Sequence, residues 1–553
     1  MLTKFSDTII FHFPSGATPA AGCGTERDIN VFRKDHTHFK LSGKQAVQLT
    51  GCGLCCLIIC VLAIWNRTLF LEPAAEFLQH HISFEEAKKE FQDNYNGDRP
   101  RGKDELLSLN GGYARLLGRT KYNGVQTMTN GMLTSSMDDL NITPFADNVE
   151  RYYHYLKEQG IPFLYIIAPH KLPTEENLLP TGANDQTNHV GDQVFQQLTE
   201  RNVPVLDLRK DMSQTHQKIE TYFYRTDHHW NVEGSFYAYQ LIMQAIRSFF
   251  PETKMTYTDS ALWEKTVLPN WWLGSHGRRV GPLYGGVDDL DYYLPTFETN
   301  MARYTPGMWI YKGDFKTVNI RDYFILYSDY MKMDSYERYL GGLGPVILHR
   351  NPSAENQRKL LLVRDSFMSA TACFLSTEFT SIDTLDPRVY YAMSVLDYTK
   401  LNPPDMVIMM NFPGSLVYKQ FWDFGDPSPL VVVRETSFDD IALSPSEDRE
   451  HYAVLSVQLE KGKSYQLTLK HIQVSSGDPA GASAALCRGD EIVDQTVFSI
   501  EYGNQFDFLW GFQVPEDDPN EGEYQLRLFA GVSGGTENIG LSYQGICLKE
   551  CSF

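Results

Sequence analysis

The chain has 553 residues, 42% of them hydrophobic and 21% charged, so it is long enough for two to four globular units and is not disordered throughout. A formal net charge of −20 argues against nucleic acid as a partner, because phosphate binding needs clustered Lys and Arg. The charge suits a neutral substrate or a plain solvated surface. The 13% of aromatic residues fits carbohydrate-facing surfaces and, more simply, aromatic cores and sheets.

Residues 1–44 have an uninformative composition and are expected to form a cytosolic, disordered tail. The run from Gln45 to Trp65 contains no charged residue and is long enough to cross a hydrocarbon core of roughly 30 Å. Arg33, Lys34, Lys40 and Lys44 precede it, and only Arg67 follows before Glu72 and Glu76. The positive-inside rule therefore predicts a single transmembrane helix at 45–66, with the remainder of the chain extracytoplasmic at the cell membrane. A cleaved signal peptide is disfavoured by the long preceding segment and the lack of an A-x-A site; a buried core helix is the remaining alternative. Cys52, Cys55, Cys56 and Cys60 crowd this run without a second pair, which reads as lipidation or apolar packing rather than zinc.

Residues 67–110 read as a polar helical stalk or entry helix, broken at Asn96-Gly97 and Pro100. From 111 to 430 helical and strand patterns alternate. ADNVERYYHYLKEQG is an amphipathic helix closed by Gly160, and GSFYAYQLIMQAIRSFF is a second helix. IPFLYIIAP, VPVLDL, RKLLLVRDSF and PDMVIMMNF are short apolar runs of the kind found in strands buried on both faces. Together they predict a three-layer α/β/α sandwich with a mainly parallel sheet. From 431 to 553 apolar and polar residues alternate between turns, which predicts an all-β, jelly-roll-like sandwich. Cys487, Cys547 and Cys551 leave room for one disulfide there.

Two segments carry chemistry. The first is Tyr224-Arg225-Thr226-Asp227-His228-His229-Trp230-Asn231. In an extended segment side chains alternate, so Asp227 and His229 are expected to point one way and His228 the other. A carboxylate beside an imidazole makes a general base, fixing its tautomer and stabilising the imidazolium. In the second, the apolar run Lys359–Val363 leads through Arg364-Asp365 into Ser366-Phe367 and a helix-compatible stretch. A serine at the carboxyl end of a parallel strand lies in the crevice where α/β enzymes keep their sites. The plainer readings are a core or metal-binding His pair and a serine that only caps a helix.

DHHW resembles the name-giving motif of the bacterial DHHW proteins, which are similar to the SGNH-like domains of the alginate O-acetyltransferase group with D-x-H-W. The resemblance spans roughly residues 80–425, through GVQTMTNGML, IIAPHKLP, TDHHWNVEGSFYAY, WLGSHGRRVG, LLLVRDSF and SIDTLDPRVYY. It implies an SGNH-like domain with Ser366 as nucleophile, His229 as base and Asp227 as its orienting acid. In place of the Glu-Arg pair expected after PDMVIMMN stands Phe412-Pro413-Gly414-Ser415. Lys171, Arg278, Arg279, Trp230 and Asn411 are candidate substrate-binding residues, and Arg388 is a candidate brace of the serine loop.

The resemblance implies O-acetyl chemistry on a polysaccharide acceptor, with the acyl group supplied by a membrane-bound O-acyltransferase. It needs no cofactor and no metal. Transfer and hydrolysis share the acyl-enzyme and are not distinguished by sequence. Trp510, Tyr502 and Phe508 are candidate sugar-stacking residues in the β-domain, with core burial as the alternative for Trp510. The rival readings are a non-catalytic glycan-binding or assembly protein, and a metal-dependent hydrolase built on Asp227, His228 and His229 with His170 or His276.

Overall fold

The computed structural model describes residue 57 and the residues from 60 onward apart from short segments, the longest being 321–334, 444–451, 499–505 and 530–539. The expected tail and most of the 45–66 span therefore lie outside the described residues, as does Tyr502. Among the described residues no helix is long and apolar enough to cross a membrane. The chain divides into two compact units, Met1–Ala87 and Lys88–Phe553. The 67–110 region forms the helices Arg67–Leu78, Phe84–Asn96 and Lys103–Leu116, the second ending just before Gly97.

The second unit is built on an eight-stranded sheet. Its strands are β1 (Phe163–Ile167), β2 (Val205–Asp207), β3 (Met301–Tyr304), β4 (Tyr311–Gly313), β5 (Val346–Arg350), β6 (Asn356–Arg364), β7 (Phe379–Leu385) and β8 (Met406–Asn411). Their order is β2-β1-β8-β6-β7-β5-β3-β4. The pairings from β2 to β7 are parallel, and the edge β5-β3-β4 is antiparallel. The apolar runs have a simple cause. Leu164, Ile166, Leu360, Leu362, Ile408 and Met410 feed one core. Phe163, Tyr165, Ile167, Leu361, Val363 and Met409 feed the other. Side chains alternate between faces that are both covered, so neither register position can be polar.

Helices α1 (Thr143–Glu158) and α2 (Thr187–Glu200) cover one face, and α3 (Val232–Phe249) and α4 (Met368–Glu378) the other. The amphipathic α1 buries Phe145, Val149, Tyr152 and Leu156 and stops just ahead of Gly160. Helix α4 is buried at every position because it lies beneath α3 and an aromatic cluster that includes Trp263 and Phe315.

Beyond residue 430 the chain forms two antiparallel sheets. Strands β9 (Val431–Phe438), β10 (Ile441–Leu443), β12 (Ser464–Ser476), β15 (Phe506–Gln513) and β17 (Gly540–Ser552) make one; β11 (Tyr452–Leu459), β13 (Ala482–Arg488), β14 (Glu491–Phe498) and β16 (Gly522–Phe529) make the other. Residues of both sheets share one core. Trp510 belongs to that core, only 5% exposed and 4.5 Å from the Phe512 ring, and Phe508 packs partly against it. The expected stacking role for Trp510 is therefore corrected: its strand register turns it inward.

Cys487, Cys547 and Cys551 are free thiols. Cys547 and Cys551 stand four residues apart on β17, about 13 Å at the usual strand rise, and Cys487 belongs to the opposite sheet. The β-sheets dock on the α/β part through Asn402, whose Oδ1 accepts from the Gly511 N–H at 2.8 Å while its Nδ2 donates to the Gly511 carbonyl at 3.3 Å. A side chain at 511 would strike Leu401, so this close approach requires glycine.

Candidate active site

The DHHW segment is not an extended strand. Phe223 and Trp230 form a bridge, and the residues between them make a tight bend. The Asp227 side chain drives that bend: its Oδ1 accepts from the His229 backbone N–H at 2.9 Å, an Asx-type turn. Strand alternation therefore does not apply, and the expectation that His228 points away from His229 is corrected. The two rings lie 3.8 Å apart, and His228 Nδ1 sits 2.8 Å from Ser275 Oγ.

Three supports hold the bend. Thr226 donates from its backbone N–H and its hydroxyl to Asp288 Oδ2, both at 2.7 Å. The Ser275 N–H donates to Asp227 Oδ2 at 2.5 Å. Gly274 packs directly on Asp227, and a Cβ there would overlap its backbone. From below, Lys171 Nζ donates to the carbonyls of Leu133 (2.7 Å), Tyr224 (2.8 Å) and Arg225 (3.3 Å).

The serine segment folds as its sequence predicts. Strand β6 ends at Arg364, Asp365 and Ser366 form the turn, and α4 starts two residues later. The Asp365 carboxylate accepts from the Phe367 N–H at 3.0 Å and the Phe412 N–H at 2.7 Å, tying the turn to the end of β8. Burial pushes the Asp365 carboxyl up, opposed by Arg388 and by these N–H donors.

The two segments, 137 residues apart, meet at hydrogen-bond distance. His229 Nε2 lies 2.7 Å from Ser366 Oγ, and His229 Nδ1 lies 2.6 Å from Asp227 Oδ1. With Nδ1 facing the carboxylate, the ring proton belongs on Nδ1 and Nε2 is left to accept from the serine. Burial alone would raise the Asp227 carboxyl; the His229 and His228 imidazoles and the Ser275 N–H hold it well below its ordinary value. The Tyr336 ring stacks on His229 at 3.8 Å and 3°, fixing the plane of the imidazole.

A cleft of about 560 Å³ opens beside this set, lined among others by His170, His228, Ser275, His276, Arg279 and Phe412. Burial and then neighbouring cations push His276 well down, so it is a neutral wall. Burial, followed by the neighbouring His229 imidazole, lowers His228 to about 3.

The other expected site residues fare unequally. Arg279 lines the cleft, with Nη2 donating to the Asn123 carbonyl at 3.0 Å. Arg278 is half-buried on the adjacent helix Ser275–Val280 and does not line it. Three substrate-binding expectations are corrected. Lys171 is fully buried and its ammonium is taken by carbonyls. Trp230 is fully buried, its indole N–H donating to the Phe367 carbonyl at 3.0 Å beside the Ser366 turn. Asn411 is buried on the opposite face of the sheet, in register with Met409, where its Oδ1 accepts from Tyr165 at 3.4 Å. Arg388 chelates Asp386 at 3.0 and 2.7 Å, and Asp386 lies 3.6 Å from Arg364, the residue leading into Asp365-Ser366.

Donor atoms of Asp227, His228 and His229 lie within 4.8 Å of one another. Both His229 nitrogens already face partners, so an ion at this spot would have to displace Asp227 or Ser366. His170 is bound to Thr134 through Nε2 at 3.3 Å.

Sequence reasoning missed Tyr336, Ser275 and the Asp365 staple. GSHGRRV held the signal for Ser275, since a Gly-flanked polar loop allows close approach; Tyr336 sits in a stretch without periodicity.

Residues 128–265 match the SGNH hydrolase-like domain of the acetyltransferase AlgX. The match includes Asp227 and His229, while Ser366 lies beyond it and is delivered by the fold. Among solved structures the chain is similar to PatB1 of Bacillus cereus, at 21% identity over 54% of this chain and 99% of that one, with a TM-score of 0.46. It is also similar to a DHHW family protein from Eubacterium siraeum, at 17% identity over 54% and 95%, TM-score 0.41. A third is the O-acetyltransferase domain of Pseudomonas putida AlgJ, at 14% identity over 53% and 92%, TM-score 0.34. None of the curated proteins matches the chain. The SGNH-like resemblance read from the DHHW segment is thus matched by a family description over residues 128–265, which does not reach the DSF segment.

Proposed function

We propose that this chain is a membrane-anchored, extracytoplasmic O-acetyltransferase or acetylesterase acting on a polysaccharide, with Ser366, His229 and Asp227 as its catalytic triad. The observation that carries the reading is the unbroken hydrogen-bond path from Ser366 Oγ through both nitrogens of His229 to Asp227. The match of residues 128–265 to an acetyltransferase domain supports it.

In this mechanism His229 Nε2 takes the hydroxyl proton as Ser366 Oγ attacks the acyl carbonyl. The tetrahedral intermediate collapses to an acyl-serine, and the same proton passes to the departing oxygen. Asp227 stabilises the imidazolium, and its depressed pKa keeps it ionised throughout. In the second half His229 takes the proton of a sugar hydroxyl, or water, entering through the cleft beside Arg279 as that oxygen attacks the acyl carbonyl, and returns it to Ser366 Oγ as the acyl–serine bond breaks. The resemblance to the alginate group suggests that a membrane-bound O-acyltransferase supplies the acyl group.

The test is turnover of a chromogenic acetyl ester by wild type and by Ser366→Ala. Turnover lost in the variant supports the serine mechanism. Equal inertness of both would move a non-catalytic, glycan-binding role to first place.

A further inference from the structure

The helix Lys103–Leu116 packs one side onto the Ser275–Gly285 segment: Gly111 and Ala114 are buried, and a Cβ at Gly111 would strike Val280. Its other side is bare. Leu106, Leu109, Tyr113 and Leu116 recur at helical spacing and are 41%, 61%, 60% and 83% exposed. Leu117 and Leu283 extend the stripe, at 53% and 55%. A contiguous apolar stripe of this kind on a globular unit marks a surface that something covers.

The surrounding charge indicates what covers it. Arg101, Lys103, Arg119 and Lys121 are exposed, and so is Arg115, which donates to the Tyr284 carbonyl on the packed side, against only Asp104 and Glu105 in the same stretch. This local excess of positive charge stands in a chain of formal net charge −20. An apolar helical face rimmed by Lys and Arg is the pattern of a helix lying in a membrane interface, its apolar residues in the headgroup–acyl boundary and its cations on anionic headgroups. The helix follows the uncharged run that ends at Trp65 in sequence, with the helices Arg67–Leu78 and Phe84–Asn96 between them.

We propose that the exposed face of the Lys103–Leu116 helix rests on an anionic lipid surface. The proposal rests on the membrane anchoring proposed above, and adds that the unit carrying the catalytic residues touches the bilayer itself. A lipid-borne acyl donor or a growing polysaccharide at the membrane would then meet the cleft at short range.

The full chain, reconstituted in vesicles of two parts phosphatidylcholine to one part phosphatidylglycerol with a trace of a photoactivatable phospholipid, tests this. Labelled peptides are read by mass spectrometry in wild type and in the double variant Leu109→Glu, Leu116→Glu. The expected result is label in both the 45–66 and 103–117 peptides of the wild type. The 103–117 label should drop on the order of fivefold or more in the variant, and on replacing phosphatidylglycerol by phosphatidylcholine. Unchanged turnover of an acetyl ester would show that the variant remains folded. Label confined to 45–66 would overturn the helix proposal and leave the anchor standing. Label in neither would overturn both. Cross-links between two copies through the stripe, with no lipid label there, would overturn the lipid assignment in favour of self-association.

Discussion

Asp227, His229 and Ser366 sit on a floor of buried side chains hydrogen-bonded into the fold, whereas the cleft beside them is lined in part by exposed and half-exposed side chains. On the floor, Lys171 caps three carbonyls, Trp230 holds the Phe367 carbonyl, and Asp365 staples the serine turn to β8. On the rim, His228 and Arg279 reach solvent, and Phe412 leads into the short 3-10 helix Pro413–Val417. Preorganised floors let a triad work without rearrangement, while rims built from loops adapt to the acceptor. On the function proposed above, catalysis belongs to the packed floor and acceptor selection to the exposed rim.

Substitutions on the floor should break this division most. Ser366→Ala is expected to lower kcat for an acetyl ester by about a thousandfold or more, with thermal stability unchanged. Asp227→Asn should cost on the order of a thousandfold, because the amide no longer selects the productive tautomer. It also carries a pH signature. Burial would raise the Asp227 carboxyl, but the flanking imidazoles hold it well below its ordinary value, so the folded protein keeps the carboxylate ionised where the unfolded chain protonates it. The stability it contributes is fully present above roughly pH 4 and is lost as pH falls further, through the folded value. Denaturant melts should therefore show the gap between wild type and Asp227→Asn narrowing below roughly pH 4.

Lys171→Met tests whether the floor depends on its brace. It leaves buried carbonyls without a donor, and should lower stability by about 3 kcal/mol and kcat by roughly tenfold, read by chemical denaturation and steady-state kinetics. On the rim, Arg279→Ala should raise KM for an oligosaccharide acceptor about threefold, with kcat and stability nearly unchanged. A large kcat loss there would merge rim and floor. Away from both, Asn402→Ala should loosen the β-sheets' docking by about 1–2 kcal/mol and leave ester turnover as it was.

The same division explains what the sequence could tell. The parallel strands were legible because burial on both faces leaves only apolar residues, as in Leu360–Val363 and Met406–Met410. Asp227, His229 and Ser366 were legible as motif residues, one beside a Trp and the other at a strand end. Direction was not. Strand alternation failed at His228 because the Asp227 side chain folds the backbone into a bend. Trp230 closes the DHHW segment, and Lys171 and Asn411 stand just after and at the end of apolar strands, yet each turns into the interior, and position along the chain carries no information on that. Tyr336 could not be found at all, since it is more than a hundred residues from His229 in a stretch without periodicity, and only the tertiary fold stacks the two rings.

The most direct test of the central claim is intact-protein and peptide mass spectrometry after brief exposure to an activated acetyl ester. One acetyl adduct is expected, on the peptide containing Ser366, absent from Ser366→Ala and greatly reduced in His229→Ala. An adduct elsewhere, or one that persists in Ser366→Ala, would contradict it.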